Sequence, residues 1–277
     1  MGIAGAGNSG TLLATLFAPR LAQAFGWHSV FGIALIPVGL VWLFFAAMAK
    51  DAPVPRRKKP WSEYAGLLGQ GDTAWFCFVY SITFGGFVGL SSYLSIFFHD
   101  QYGFTKVQAG DLTTLVVVFG SFLRPVGGLL SDRIGGMRML QVLLAGVAIC
   151  VGGLSTLPPA VIAVALLVLT MAMLGMGNGA VFQLVPQRFA GQVGIMTGIV
   201  GAAGGLGGFL LPSLLGTMKD RTGSFGTGFG VLATVAACGL TSLLILRGNW
   251  RRTWPRESVL RAGLASNESA AIAVGES

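Results

Sequence analysis

The stretch SFLRPVGGLLSDRIGGMR, residues 121–138, places an arginine inside an otherwise apolar helix and ends in a compact charged turn. At 1.5 Å per helical residue, Arg124 lies about two turns, or roughly 10 Å, from the charged end at Ser131 and Asp132. An unpaired guanidinium at that depth in hydrocarbon costs at least about 2.5 kcal/mol, so we interpret Arg124 as a functional residue that faces a polar cavity. The alternative is a structural arginine that snorkels to the interface or pairs with a buried carboxylate.

The composition is that of a polytopic membrane protein. Of 277 residues, 53% are hydrophobic, only 10% are charged and 43 are glycine, which argues against a soluble enzyme. The three cysteines, Cys77, Cys150 and Cys238, lie in apolar runs without metal-ligand spacing, and we expect them to pack as small hydrophobic side chains. The sequence predicts no enzyme activity, no metal site and no cofactor.

Eight apolar segments approach the length of about 20 residues that a membrane-spanning helix requires. They are residues 3–25, 27–48, 73–98, 108–130, 139–157, 160–185, 191–215 and 225–246. Short, turn-rich segments separate them, and only the connector 50–72 is longer. The sequence therefore predicts an all-α polytopic membrane protein with eight spans in a lipid bilayer.

The basic residues are divided unevenly between the two sets of loops. A net charge of +8 is compatible with nucleic-acid binding. However, the basic residues gather in short segments between the spans, as orientation in a membrane requires, so we exclude nucleic acid as a partner. Thirteen lie in one set of loops, whereas the opposite set holds Arg20, Lys106, Lys219 and Arg221. The positive-inside rule predicts a cytoplasmic connector and a cytoplasmic C-terminus, in a membrane of the bacterial inner type.

The connector divides the predicted spans into a pair and a block of six. We assign residues 1–49 to two helices of a first bundle, 50–72 to a cytoplasmic central connector, and 73–246 to a six-helix bundle. Residues 247–277 are polar and rich in small residues, and we expect a disordered cytoplasmic tail. A six-helix block behind a basic connector suggests the second half of a twelve-helix transporter.

Two glycine-rich helices lie six spans apart, and each ends in proline. They read AGAGNSGTLLATLFAP, residues 4–19, and GIVGAAGGLGGFLLP, residues 198–212. Glycine inside a helix costs up to about 1 kcal/mol relative to alanine, so dense glycine indicates a backbone that lines a site or close packing of small residues alone. The candidate glycines are Gly5, Gly7, Gly10, Gly201, Gly204, Gly205 and Gly208.

The sequence resembles the nitrate/nitrite porters of the major facilitator superfamily. The two glycine-rich helices resemble that family's signature segments in its fifth and eleventh helices, and GMGNGAVFQLVP, residues 175–186, resembles the end of its tenth. The stretch RPVGGLLSDRIGG resembles its eighth helix and the superfamily turn that follows. The matches occur in the family's order over nearly all of residues 4–212, so the resemblance implies eight spans equivalent to helices 5 to 12.

The resemblance also implies substrates and site residues. It implies nitrate and nitrite as substrates, moved by alternating access, and it assigns substrate binding to Arg124, Tyr80, Phe84, Asn8 and Asn178. Independently, a planar guanidinium fork suits two oxygens of a planar anion, and the aromatic pair four residues apart shares a helix face that could sandwich it. The alternatives are ordinary helix packing for the aromatic pair, and for Asn178 a residue that caps or kinks a helix.

The acidic residues favour exchange over proton coupling. Asp111, at the start of the fourth span, is the only intramembrane acid, and we expect it to stabilise the helix dipole. Asp132 and Arg133 belong to the turn after that span, where we expect a structural pair that gates the conformational change. Because no carboxylate lies near mid-span, exchange of nitrate against nitrite is favoured over proton symport.

The resemblance departs from the family at the front of the chain. A full member has twelve helices, and the absent first four carry the family's other substrate arginine, so we expect an N-terminally truncated copy whose missing helices would come from a separate or upstream segment. Two other functions stay open: a transporter of the same superfamily for another small molecule, and a membrane fragment without transport activity.

Overall fold

The computed structural model describes residues 9–50 and 60–264, and every regular element within these ranges is a helix. Seven of these helical segments are long and apolar enough to cross a bilayer: Trp27–Met48, Gly71–Tyr102, Lys106–Ile134, Gly136–Leu154, Ala160–Arg188, Val193–Thr222 and Phe225–Thr253. The remaining predicted span, residues 3–25, corresponds to a helix over Ser9–Phe25, and residues 1–8 lie outside the described residues. The all-α membrane fold is confirmed.

The helices are numbered here in chain order. They are α1 (Ser9–Phe25), α2 (Trp27–Met48), α3 (Trp61–Leu68), α4 (Gly71–Tyr80), α5 (Gly86–Tyr102), α6 (Lys106–Phe122), α7 (Arg124–Ile134), α8 (Gly136–Leu154), α9 (Ala160–Arg188), α10 (Val193–Thr222), α11 (Phe225–Thr253) and α12 (Arg256–Arg261). A π-helical turn, Ser81–Gly85, joins α4 to α5, so that both belong to one span.

The span that carries Arg124 is one helical segment, Lys106–Ile134, with a one-residue break in its regular pattern at Leu123, between α6 and α7. Pro125 accounts for the break, because it lacks the N–H that a regular helix would donate to the carbonyl of Ser121. Leu123 keeps helical dihedral angles, φ −83° and ψ −7°, so the backbone continues through the break as a helix. This segment contains the predicted span 108–130, and Arg124 lies inside it.

Helix α1 packs antiparallel against α6. The hydroxyls of Thr15 and Thr114 are hydrogen-bonded at 2.8 Å. A β-carbon on Gly110 would lie 2.7 Å from the carbonyl oxygen of Thr15 and 2.9 Å from Pro19, so this position requires glycine. Helix α2 packs against α1 and has no buried residues among the described part of the chain. Helix α1 thus lies against the six-span bundle, and α2 lies against α1.

The C-terminal segment is folded as far as the structure describes it, so the prediction of a disordered tail from residue 247 is wrong for residues 247–264. Helix α11 continues to Thr253 and α12 follows. Trp250 is fully buried, and its ring stacks on Phe76 at 5.7 Å. The amide of Met137 donates to the carbonyl of Ala262 at 3.0 Å. Apolar burial and backbone bonding therefore order a segment whose polar composition, rich in small residues, suggested disorder.

The connector is also partly helical. Helix α3 occupies Trp61–Leu68, and α4 already begins at Gly71, so residues 71 and 72 belong to the bundle rather than to the connector. The side chain of Leu67 is buried against the core. Residues 51–59, which include most of the charged residues of the connector, lie outside the described residues.

Candidate functional site

Arg124 carries a half-buried guanidinium at the break between α6 and α7. Its Nη2 donates a hydrogen bond to the hydroxyl oxygen of Tyr80 at 3.2 Å. Its Cζ lies 5.6 Å from the ring centroid of Phe84, within range of a cation–π contact. No carboxylate of the described residues forms an ion pair with it, and Tyr80 is its only hydrogen-bond partner there. The structure thus brings Arg124, Tyr80 and Phe84 together, and their role in substrate binding stays a prediction.

The aromatic pair is arranged differently from the predicted sandwich. The rings of Tyr80 and Phe84 stack directly on each other, with centroids 5.1 Å apart and planes 6° from parallel. An anion between them would require a separation of about 7 Å, since carbon contacts lie near 3.5 Å on each side. The two rings therefore form one slab beside the guanidinium instead of two walls around a ligand. The π-helical turn begins directly after Tyr80 and includes Phe84.

The glycine-rich helix α10 supports this slab. A β-carbon on Gly204 would lie 2.5 Å and 2.6 Å from Cδ1 and Cε1 of Tyr80 and 2.9 Å from Phe84. Behind it, a β-carbon on Gly207 would lie 2.8 Å from the carbonyl oxygen of Ser81. Close approach of α10 to the π-helical turn thus fixes the aromatic rings. On the other side, the ring of Phe182 meets Tyr80 edge to face at 4.9 Å.

The remaining candidate glycines fall into three groups. Gly208 packs closely, since a β-carbon there would lie 2.9 Å from Val88. Gly10, Gly201 and Gly205 have open space instead, with no atom within 4 Å of a β-carbon. The third group, Gly5 and Gly7, lies with Asn8 outside the described residues.

Asn178 lies in the interior of α9, where its side chain is 1% exposed. Neither atom of its amide has a hydrogen-bond partner in the described chain. The glycines on either side of it allow close packing: a β-carbon on Gly177 would lie 2.8 Å from Thr83, and one on Gly179 would lie 2.6 Å from the carbonyl oxygen of Arg124. Asn178 thus lies on the part of α9 that packs against the π-helical turn and the backbone of Arg124.

Asp132 and Arg133 lie in the last turn of α7, not in the turn that follows it as predicted. That turn is confined to Gly135, whose φ of 91° requires glycine. Both side chains are exposed, and within the described residues neither forms an ion pair. Their part in a structural pairing that gates the conformational change stays a prediction.

Asp111 has a specific partner, which the sequence did not indicate. Its carboxylate forms an ion pair with Arg20 of α1 at 2.7 Å, and both side chains are 42% exposed. We predicted a carboxylate that stabilises a helix dipole. The structure shows a link between α1 and α6, because the two helices run antiparallel and bring these residues level.

A second charged cluster, which sequence analysis missed, lies at the end of the bundle where α4 begins. Asp72 accepts a hydrogen bond from Nε1 of Trp250 at 2.8 Å. It also forms an ion pair with Arg188, whose Nε donates a hydrogen bond to the carboxylate. The guanidinium of Arg188 also lies 6.0 Å from the ring of Trp254. This cluster ties α4, α9 and α11 together. In the sequence, the only sign of this cluster is Asp72, an acidic residue at the start of a span.

The fold and the site define a class: a multi-pass α-helical membrane protein with an arginine, free of any carboxylate in the described chain, beside aromatic rings inside the bundle. Residues 1–212 match the family described as Major Facilitator Superfamily. Because that match spans more than half of the sequence, the chain belongs to this superfamily.

Individual curated proteins are also similar. The "Nitrite extrusion protein" of Bacillus subtilis is 36% identical over 237 residues, which cover 85% of this chain and 60% of the relative. The "Probable nitrate transporter NarT" of Staphylococcus carnosus is 35% identical over 253 residues, 84% of this chain and 62% of the relative. The "Probable nitrate/nitrite antiporter NarK1" of Thermus thermophilus is 30% identical over 272 residues, 86% of this chain and 61% of the relative. The chain spans about 60% of the length of these relatives.

Proposed function

We propose that this chain functions in transmembrane transport of nitrate and nitrite by alternating access, and that it is not an enzyme. The observation that carries the proposal is the guanidinium of Arg124, which lies inside a membrane bundle and has no carboxylate partner in the described chain. Ionisable residues inside a membrane bundle mark substrate or ion pathways, and a cation without a carboxylate partner suits an anionic substrate. The names of the similar proteins supply the substrate class, since they are called nitrate or nitrite transporters.

The donor set suits a small planar oxyanion. A guanidinium has five N–H donors, and Tyr80 accepts from only one nitrogen of Arg124. The free edge of the fork can bind two oxygens of nitrate or nitrite at once. Tyr80 keeps its own hydroxyl proton for a further hydrogen bond to the anion. Phe84 covers the guanidinium with an apolar ring, which excludes water and strengthens the electrostatic interaction.

Two asparagines are proposed as further members of the site. Asn8, by its place in the first glycine-rich segment of the sequence, is proposed as an additional ligand. Asn178 is proposed as a contributor from α9, where the neighbouring Gly179 contacts the backbone of Arg124.

Anion exchange is the coupling mode that we propose. In the part of the chain that the structure describes, the site around Arg124 contains no carboxylate to carry a proton, and Asp111 is occupied by Arg20. Exchange of one anion for another returns Arg124 to the same paired state at the end of each half-cycle. Exchange therefore needs no proton acceptor.

We further propose the arrangement of the chain in the membrane. Thirteen basic residues in one set of loops against four in the other favour a cytoplasmic connector and C-terminus. On this arrangement residues 1–49 and 73–246 belong to two bundles that rock against each other, with Asp132 and Arg133 at the cytoplasmic, gating end.

The experiment is a binding and exchange assay on the purified chain. In lipid nanodiscs, labelled nitrate should bind and should be displaced by nitrite but not by sugars or bulky organic anions. In liposomes, the chain supplied with helices equivalent to the missing first four should take up nitrate, and the uptake should be stimulated by nitrite inside rather than by a pH gradient, whereas these 277 residues alone should not transport. Displacement by a bulky substrate and not by nitrite would assign the chain to another transported substrate within the superfamily. Absence of any specific anion binding would refute the proposal.

A further inference from the structure

Three buried polar side chains, each from a different element, have no hydrogen-bond partner in the described chain. Thr83 in the π-helical turn is 1% exposed, Ser121 on α6 is 2% exposed, and Asn178 on α9 is 1% exposed. The hydroxyls of the first two and both amide atoms of the third are unpartnered. Buried polar groups in proteins are nearly always paired with protein or with ordered water. Packing alone therefore does not account for this set.

The elements that carry these three side chains pack together around the middle of α9. A β-carbon on the glycine before Asn178 would lie 2.8 Å from Cγ2 of Thr83. A β-carbon on the glycine after it would lie 2.6 Å from the carbonyl oxygen of Arg124, and Ser121 precedes Arg124 by about one helical turn. The π-helical turn, the end of α6 and the middle of α9 thus meet at the level of Asn178.

The helix break adds a fourth polar group at the same level. Because Pro125 has no N–H, the carbonyl of Ser121 lacks the donor that an unbroken helix would provide. In membrane helices such a carbonyl is satisfied by serine or threonine side chains, by neighbouring helices or by ordered water. The hydroxyl of Ser121 itself is unpartnered, so it does not satisfy the carbonyl directly.

We propose that Thr83, Ser121 and Asn178 form a buried water site at the Leu123 break, and that the bound water sets the direction of Arg124. The site takes water rather than the anion because its side chains are uncharged and almost completely enclosed, and an anion loses far more on transfer to such a place than water does. Thr83 and Asn178 are thus positioning residues, and their effect on anion binding rests on the function proposed above.

Replacement of Thr83 by valine tests the water site through the sign of a stability change. Valine has the shape of threonine without the hydroxyl. If the hydroxyl binds water shared with Ser121 and Asn178, the valine variant leaves that network incomplete and melts at a lower temperature. If the hydroxyl has no partner at all, its removal relieves a buried polar group and the melting temperature rises. Thr83→Ser, which keeps the hydroxyl, should restore most of the loss.

The matched control is Thr170→Val on α9. Thr170 is as deeply buried as Thr83, at 0% exposed, but its hydroxyl donates to the carbonyl of Leu166 at 2.7 Å. It therefore reports the loss of a hydroxyl that has a partner within its own helix. If Thr83→Val does not fold, Ser121→Ala applies the same test from α6, again with a lower melting temperature expected.

A second readout separates positioning from mere stability. Nitrate affinity in nanodiscs should fall about fivefold in Thr83→Val, recover in Thr83→Ser and stay unchanged in Thr170→Val. A raised melting temperature for Thr83→Val, or wild-type nitrate affinity in that variant, would overturn the proposal. If the unmodified chain binds no nitrate, the proposed function fails, and the melting temperatures still decide whether the water site exists.

Discussion

Replacement of Arg124 by lysine separates the charge of the site from its geometry. Lysine keeps the positive charge but offers a compact ammonium instead of a planar fork. It also loses the hydrogen bond to Tyr80 and the contact with the ring of Phe84 in their present form. If the fork binds two oxygens of nitrate, lysine retains one bond of two.

The magnitude follows from that count of hydrogen bonds. A hydrogen bond to a charged group contributes about 1.5–3 kcal/mol, so the loss of one weakens nitrate binding by about 10- to 150-fold. Removal of the charge altogether, as in Arg124→Gln, should abolish measurable binding. Neither variant should lower the melting temperature by much, because no carboxylate of the described chain loses its partner.

The assay is equilibrium binding of labelled nitrate to the chain in nanodiscs, with the melting temperature of each variant as a check on folding. Arg20→Lys is the matched control, since Arg20 pairs with Asp111 at the surface and its substitution should leave nitrate affinity unchanged. Wild-type affinity in Arg124→Lys would show that the fork geometry does not bind the anion. Equal losses in the two lysine variants would show that the effect is not specific to the guanidinium of Arg124.

Three further predictions follow from packing, pairing and orientation. Gly204→Ala should weaken nitrate binding and destabilise the fold by about 1–3 kcal/mol, because its methyl group would overlap the ring of Tyr80; thermal unfolding and nitrate binding measure both effects. Asp72→Asn should lower the free energy of unfolding by about 1–3 kcal/mol, because the ion pair with Arg188 and the bond from Trp250 are weakened. A single cysteine at Ser62, in a chain without its native cysteines, should resist an impermeant thiol reagent added to intact cells.

Each of these has its own control. Gly205→Ala should be neutral or slightly stabilising, since no atom lies within 4 Å of a β-carbon there; equal damage from both glycine variants would contradict the packing argument. Asp132→Asn should have little effect, because Asp132 is exposed and has no ion-pair partner in the described chain. For orientation, a cysteine at Arg221 should react with the external reagent, and the reverse labelling pattern would invert the topology.

Hydropathy predicted the spans well because membrane helices must be both long and apolar. The predicted span 27–48 has the same bounds as helix α2. The break at Leu123 has a signal in Pro125, although the hydropathy of the segment continues through it. The π-helical turn at Ser81–Gly85 has no such signal, since it depends on the close approach of α10.

The charged and aromatic residues of the site could be predicted from the sequence, whereas the residues that pack around them could not. Arg124 stood out because a cation in an apolar run is costly. Thr83 and Ser121 did not stand out, because hydroxyl residues are common in membrane helices and only their burial in the folded chain reveals them. The ion pair of Arg20 with Asp111 joins residues far apart in sequence, so it depends on tertiary packing that no local pattern encodes.

The contact of the C-terminal segment with the Gly135 turn has a consequence for biosynthesis. The amide of Met137 is satisfied by the carbonyl of Ala262, and a β-carbon on Gly135 would lie 2.2 Å from Gly263. Since the ribosome makes the chain from the N-terminus, α7 and α8 enter the membrane long before this partner exists. A nascent chain that has completed α10 still presents the turn unpaired, and the turn becomes paired only after α11 has been inserted.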